Sequence, residues 1–217
     1  MKTSSLYDLS HTAAVDYLKG FEYPWEAISG ICDLIRELGP KLDPSEYDQI
    51  ADSVWVHKTA TIFASAELIG PIIIGPRTGV YHCAVVRNGA LIGADCVIGS
   101  CVEIKNVIVM DNAEISHFNY VGDSIIGYQS HFGAGAITSN VKSDRSNIQI
   151  HAEKDFDTDS WKLGALIGDH VEIGCNTVLN PGVIIGRNTN VYPCMSVRGT
   201  IPENSILKTG GVLVQKR

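Results

Sequence analysis

One hydrophobic frame recurs at every sixth position through most of this chain. It runs Val56, Ile62, Leu68, Ile74, Val80, Val86, Ile92, Ile98 and Ile104, then after one five-residue step resumes at Val109, Ile115 and Val121. A second stretch gives Ile167, Ile173, Leu179, Ile185, Val191 and Val197. The fifth residue of each hexad is mostly small or compact (Ala60, Ala66, Thr78, Ala84, Ala90, Cys96, Thr177, Thr189), and glycine often follows the aliphatic, as at Gly75, Gly93, Gly99, Gly168, Gly174 and Gly186. Neither the 3.6-residue period of a helix nor the alternation of an ordinary strand produces this spacing. It is the hexapeptide signature of a parallel β-helix, an all-β solenoid.

A solenoid buries its aliphatic column coil by coil, so 217 residues suffice for one domain, or one domain and a small appendage. The formal net charge of −7 argues against nucleic acid or an anionic membrane surface as the main partner. The opening residues lack the apolar core of a signal peptide, and no apolar run approaches the ~18 residues of a spanning helix, so a cytoplasmic protein is expected. Six cysteines form no CxxC pair, and Cys96 sits at a compact hexad place. They read as free thiols, buried in a reducing compartment.

Upstream of the frame, Pro24 can open a helix whose stripe is Ile28, Ile31, Cys32, Ile35 and Leu38, stopped by Gly39-Pro40. Residues 6–19 could add a short helix. We expect residues 1–50 to form a helical cap docked on the open end of the solenoid, with Trp25 as a packing anchor, and residues 51–217 to form the β-helix. The frame fails after Ile137 and returns at Ile167. Residues 141–165 between them are charged and aperiodic, an excursion from the coil whose length suggests a function. Residues 201–217 should close the last coil.

Three hexads make one triangular coil, so residues about 18 apart stack at roughly 4.8 Å. Arg87 and Lys105 are 18 apart, each at the place where glycine is usual, and should stack. Glu103 and Tyr120 share that corner, and Asn140 falls nearby one coil further on. Stacked like charges repel, so this arrangement calls for an anion: either Glu103 itself, or a phosphate or carboxylate ligand. His117, in the polar hexad ISHFNY, has an unperturbed pKa near ~6.5 that suits a general base. His82 holds the same hexad place two coils earlier, roughly 10 Å away, too far for one chain to close a metal site with that pair, and no metal is expected.

The segment VEIKN…ISHFNYVGDSIIG…FGAGAITSN, with H-x-x-Y-x-G-D followed by G-A-G-x-I-T-x-N, resembles the acetyltransferase half of the bifunctional glucosamine-1-phosphate acetyltransferase / N-acetylglucosamine-1-phosphate uridylyltransferase family. The PWEAI helix and the WKLGALIGD end of the excursion look more like the archaeal-type sugar-1-phosphate nucleotidylyltransferase/acetyltransferase proteins. The resemblance implies a left-handed β-helix and a homotrimer with active sites between subunits. It also implies an acetyltransferase using acetyl-CoA as co-substrate on an amino sugar 1-phosphate, glucosamine 1-phosphate first. The family's L-A-A-G-x-G-T-R loop does not occur, so uridylyl transfer is not expected.

By position, Arg87, Lys105 and Tyr120 match sugar-phosphate binders, Asn140 a sugar contact and His117 the catalytic base. Glu103 would orient the cations or the amine. Ala134, Cys175 and Pro193 match places where acetyl-CoA runs along the coils, and Lys208 and Arg198 are candidate partners for coenzyme A phosphates. Three positions depart from the family pattern: His131 replaces an asparagine of the substrate site, Val141 a tyrosine, and Ser146 a basic residue. Alternatives are another amine acceptor, a non-catalytic trimeric partner of a separate nucleotidylyltransferase, or a carbonic-anhydrase-like metalloenzyme on the same fold.

Overall fold

A computed structural model describes residues 1–152 and 154–216. It is a parallel β-helix of about eight turns preceded by short helical segments. Each coil has three flat faces, named here in the order the chain visits them. Face A carries Glu67–Ile69, residues 85–87, 103–105 and 120–122, then Ile137–Thr138, Val178–Leu179 and Ser196–Val197. Face B carries Val54–His57, Ile72–Ile74, residues 90–92, 107–109 and 124–126, then Ala165–Ile167, Val183–Ile185 and Thr200–Ile201. Face C carries Thr61–Ile62, Gly79–Val80, Val97–Ser100, Glu114–His117, His131–Phe132, Glu172–Ile173, Asn190–Val191 and Ser205–Lys208. Neighbouring strands on every face are parallel.

The sixfold aliphatics point inward and form one continuous core from Val54 to Leu207. The compact fifth places are inward too. Ala84, Ala90, Cys96, Ala113 and Ala136 are buried, and the buried threonines 78, 177 and 189 donate to the carbonyls of Gly93, Tyr192 and Pro202. A larger side chain there would collide across the narrow interior, and an unpaired carbonyl would be costly. The chain turns most corners through a left-handed residue, often Asn or Asp, such as Asn88, Asp95, Asn106, Asn112, Asp123 and Asn188. Both ends of the solenoid gain an antiparallel strand, Tyr47–Ala51 on Val54–His57 and Val212–Gln215 on Ser205–Lys208. These occupy part of the hydrogen-bonding edge that an end coil would otherwise present.

The helical region departs from the expected end cap. Face B shows outward a second apolar column, Trp55, Ile73, Leu91, Ile108, Ile125, Leu166 and Ile184, and all of these are buried. They lie under Leu6, Leu18, Trp25, Ile28, Ile31, Leu34 and Ile35 from the amino-terminal segment and Ile148, Ile150 and Leu163 from the excursion. The segment therefore lies along a flank. Covering a stripe that spans several coils removes more apolar area from water than covering one terminal coil.

The helical periods differ as well. The amino-terminal segment comprises α1 (Thr3–Leu6), α2 (Val15–Lys19) and α3 (Ile31–Leu38), and Pro24–Gly30 is a 3₁₀ segment rather than the start of α3. The Tyr17 hydroxyl donates to the Ala27 carbonyl at 2.6 Å, taking the acceptor that a continuous α-helix would offer Ile31. The excursion folds into a hairpin, Gln149–His151 against Asp155–Asp157, and its Phe156 packs on Tyr23 and Trp25. Of the six free cysteines only Cys96 is buried, its thiol pushed up to about 12 by desolvation; Cys83, Cys101, Cys175 and Cys194 are exposed at corners. The expectation of buried thiols fails there because corner side chains point out of the coil. Among the described residues no helix is long and apolar enough to cross a membrane.

Candidate functional site

Face A and its two corners collect most of the residues singled out by sequence. Arg87 and Lys105 are direct register partners, as are Glu103 and Tyr120. Arg87 donates through Nε and Nη2 to Glu103 Oε1 at 2.8 and 2.6 Å, so one cation is answered by Glu103. Lys105 turns the other way, to Asp123, with Nζ 3.3 Å from Oδ2. Asp123 stands at the A/B corner with φ 48°, and its side chain is only 5 % exposed. A carboxylate that buried must be compensated. It accepts from Lys105 Nζ, from Asn106 Nδ2 at 2.8 Å and from Asn140 Nδ2. Asn140 Nδ2 also donates to the Tyr120 hydroxyl at 3.1 Å. The phenol lies over Gly122, where a Cβ would meet it at 2.5 Å. Burial, and after it the charge of Asp123, raises the Tyr120 phenol above its ordinary value.

Asp123 is thus the hub of the corner, and sequence reasoning missed it. The signal was present: Asp123 is the acid of the H-x-x-Y-x-G-D motif, and it falls 17 residues after Asn106, itself 18 after Asn88.

His117 lies across face A, at the C/A corner. Its ring is exposed and stands edge-on to Phe118, and no hydrogen bond joins it to Arg87, Lys105 or Tyr120 among the described residues. The corner is rigid. Asn119 is buried and donates to the carbonyls of Gly133 and Ala136 in the next coil. Backbone hydrogen bonds define a column along this corner. The His117 carbonyl accepts from Gly135, the Ala134 carbonyl from Asn176, and the Cys175 carbonyl from Cys194. His117, Ala134, Cys175 and Pro193 therefore succeed one another coil by coil on one edge. His131 does not join either group. It points out from face C, with Nδ1 2.9 Å from Glu172 and Nε2 3.0 Å from Ser116. Lys208 ends the strand Ser205–Lys208 on face C, in the last coil.

Two hollows adjoin the A/B corner. One of about 400 Å³ opens between the 3₁₀ segment and the excursion and reaches Asn106, Asp123, Lys162 and Trp25. The other, about 210 Å³, brings Lys142, Arg198, His151 and Asn180 together further along the same corner. Register extension places Arg198 in the Arg87–Lys105 column, with Gly122, Ser139 and Asn180 between. Among the described residues no group of three or more His, Cys, Asp or Glu side chains is placed to hold a metal ion.

Stacked hexads with an inward aliphatic and a compact fifth residue define a class, the hexapeptide-repeat β-helix proteins. Within it, the chain is similar along its whole length to a bifunctional GlmU-type protein, in keeping with the motifs. It is 28% identical over 220 residues to the bifunctional protein GlmU of Methanococcus vannielii, covering 100% of this chain and 52% of that protein. The GlmU of Staphylococcus epidermidis is 32% identical over 160 residues, 74% of this chain and 31% of its own length. The bifunctional sugar-1-phosphate nucleotidylyltransferase/acetyltransferase of Sulfurisphaera tokodaii is 39% identical over 97 residues, 44% of this chain and 24% of that protein. The chain thus spans about half or less of the length of these relatives. Residues 68–154 match the model of the GMPPB C-terminal domain. Among solved structures, the UDP-N-acetylglucosamine acyltransferase of Francisella novicida aligns with a TM-score of 0.45 at 14% identity, over 73% of this chain and 68% of that one.

Proposed function

We propose that this chain is an acetyl-CoA-dependent N-acetyltransferase acting on an amino sugar 1-phosphate, glucosamine 1-phosphate first, and that it works as a homotrimer. The observation that carries the reading is the pairing of two columns on the edges of face A: Arg87 over Lys105 at one edge, and His117 followed by Ala134, Cys175 and Pro193 at the other. The first offers cations to a phosphate. The second offers a base and a rail of small or compact residues along which a pantetheine arm and its thioester can lie.

Acetyl-CoA would lie along Ala134, Cys175 and Pro193, with Lys208 in the last coil, and Arg198 on the opposite edge of face A, as the candidate partners for its phosphates. Arg87 and Lys105 hold the sugar phosphate, each oriented by its carboxylate, Glu103 or Asp123. Tyr120 and Asn140, joined by their hydrogen bond, position the sugar. His117 removes a proton from the acceptor amine as nitrogen attacks the thioester carbonyl, and the thiolate departs with a proton. No acyl-enzyme is needed on this path. The relatives support the class: one carries both nucleotidylyltransferase and acetyltransferase in its name.

The test is thiol release from acetyl-CoA in the presence of glucosamine 1-phosphate, wild type beside His117→Ala. Loss of roughly 100-fold or more in kcat is expected for the variant. Equal rates would refute the base, and no transfer to any amino sugar phosphate would refute the acceptor class.

A further inference from the structure

The smaller hollow of the A/B corner has a charge pattern of its own. It encloses about 210 Å³ between the excursion and the last coils, and Lys142, His151, Arg198, Gln149 and Asn180 line it over a floor of Ile148 and Pro181. No carboxylate stands in that lining, in a chain whose formal net charge is −7. Nor do Arg87 and Lys105, which are already answered by Glu103 and Asp123. The cations of this hollow have no such answer. The Arg198 side chain makes no hydrogen bond or ion pair among the described residues. Lys142 Nζ donates to the Ser146 hydroxyl and the Asn147 carbonyl, both uncharged. His151 Nδ1 lies 2.8 Å from Asp155 Oδ1, a contact that favours the protonated ring. A structural tie would pair these charges with acids. Two cations and an imidazole around one hollow instead suit an anion with several charged oxygens.

Size and height narrow the ligand. A hollow smaller than the ~300 Å³ of ordinary ligand pockets fits a phosphoryl group or a diphosphate rather than a whole nucleotide. His117, Ala134, Cys175 and Pro193 precede the face A strands of four successive coils. Pro193 is therefore three coil steps from His117, about 14 Å. Arg198 directly follows the strand Ser196–Val197, so it shares the coil of Pro193. From the sulfur of coenzyme A to its first phosphorus there are about 13 bonds, an extended reach of about 15 Å at backbone-like spacing. A thioester held at His117, with its arm on the rail, brings its diphosphate to the height of Arg198. Within one chain, rail and hollow lie on opposite edges of face A. A threefold axis parallel to the coils keeps all copies level, so the hollow that meets this diphosphate belongs to the next copy.

We propose that Lys142, His151 and Arg198 form a diphosphate-binding site, which takes the phosphates of the acetyl-CoA lying on the rail of the neighbouring copy. This deepens the transferase reading and rests on it for the source of the diphosphate; the site itself does not depend on it. It also gives the excursion, which supplies Lys142 and His151, a role at the far end of the co-substrate.

The full chain is titrated calorimetrically with inorganic pyrophosphate and with coenzyme A, wild type beside Arg198→Ala. The Arg198 side chain is exposed and unpartnered among the described residues, so its removal should spare the fold. Both ligands should bind the variant about tenfold or more weakly, and pyrophosphate should displace coenzyme A from wild type. Equal pyrophosphate affinity in the two proteins overturns the site. Weaker pyrophosphate binding with coenzyme A affinity unchanged supports the site for a free phosphate compound and overturns the co-substrate as its source. In trimers assembled at random from Arg198→Ala and the rail-blocking Cys175→Trp, about a quarter of the interfaces should regain tight coenzyme A binding. None regained overturns the placement between copies. If the affinities behave as expected but no amino sugar phosphate is acetylated, the acceptor reading fails and the site stands.

Discussion

At the scale of single residues, the anion corner is a set of paired charges with one buried acid at its centre. Asp123 is held by Lys105, Asn106 and Asn140, and removing its charge leaves a largely buried ammonium without its counterion. Breaking such a pair from one side typically costs about 3–5 kcal/mol. Asp123→Ala should therefore lower the unfolding free energy measured by urea denaturation by an amount of that order, and Lys105→Met in the same background should recover part of it. If the two substitutions simply add, the pair is not coupled. The stacking of Arg87 over Lys105 was legible because the repeat supplies a ruler, and register depends on backbone spacing alone. Glu103 was legible as a partner for one cation, but which cation it meets, and that Asp123 meets the other, was not. The reach of a lysine or arginine is set by rotamers, and Lys105 leaves the column to find Asp123 while Arg87 stays with Glu103.

At the scale of elements, the flank-lying helices answer a pattern that lay open in the sequence. In every third hexad, without a break from Ile73 to Ile185, Ile or Leu immediately precedes the inward residue: Ile73-Ile74, Leu91-Ile92, Ile108-Val109, Ile125-Ile126, Leu166-Ile167 and Ile184-Ile185, whereas the other faces have such doublets only sporadically, at Val85-Val86, Val97-Ile98, Val178-Leu179 and Ile206-Leu207. Adjacent residues on a strand point to opposite sides, so the doublets mark one face that is apolar outside as well as inside. Such a stripe must be covered, and the amphipathic segment before the first coil and the excursion are what the chain has to cover it. Ile108 is wholly buried in that layer. Ile108→Ala should cost about 2–5 kcal/mol, and hydrogen exchange in Ile31–Leu38 should quicken before exchange in the solenoid does. Uniform quickening would mean that helices and coils unfold as one unit.

The corner ladders add a pH-dependent term. Arg77 binds Asp95 through Nε and Nη2 at 2.7 and 2.6 Å, one coil apart, and that hydrogen bonding lowers the Asp95 carboxyl below its ordinary value. A folded pKa below the unfolded one means stability that is complete above the unfolded value, about 3.9, and is lost as pH falls through the folded value. The urea midpoint of wild type should exceed that of Asp95→Asn at neutral pH by a small margin, since the pair is exposed. The margin should close in acid. A margin that widens as pH falls would reverse the assignment.

At the scale of the whole molecule, the arrangement of faces restricts how copies can associate. Face B is covered by the chain's own helices and excursion, which leaves faces A and C and the corner between them to meet other copies. The proposed base and the proposed phosphate-binding cations lie on opposite edges of face A, without direct contact. A site assembled between subunits would join His117 of one copy to Arg87 and Lys105 of the next. That geometry makes a sharp prediction for mixtures. His117→Ala and Lys105→Met should each lack acetyl transfer as pure trimers. When the two variants are co-expressed and assemble at random, about a quarter of the interfaces would pair an intact His117 with an intact Lys105. Activity should return to roughly that fraction of wild type. If both residues serve a site within one chain, every chain in the mixture is defective and mixing restores nothing. Sedimentation of the mixture, run beside the assay, confirms that hybrids have formed, so a failure to recover activity then bears on the placement of the site rather than on exchange of subunits.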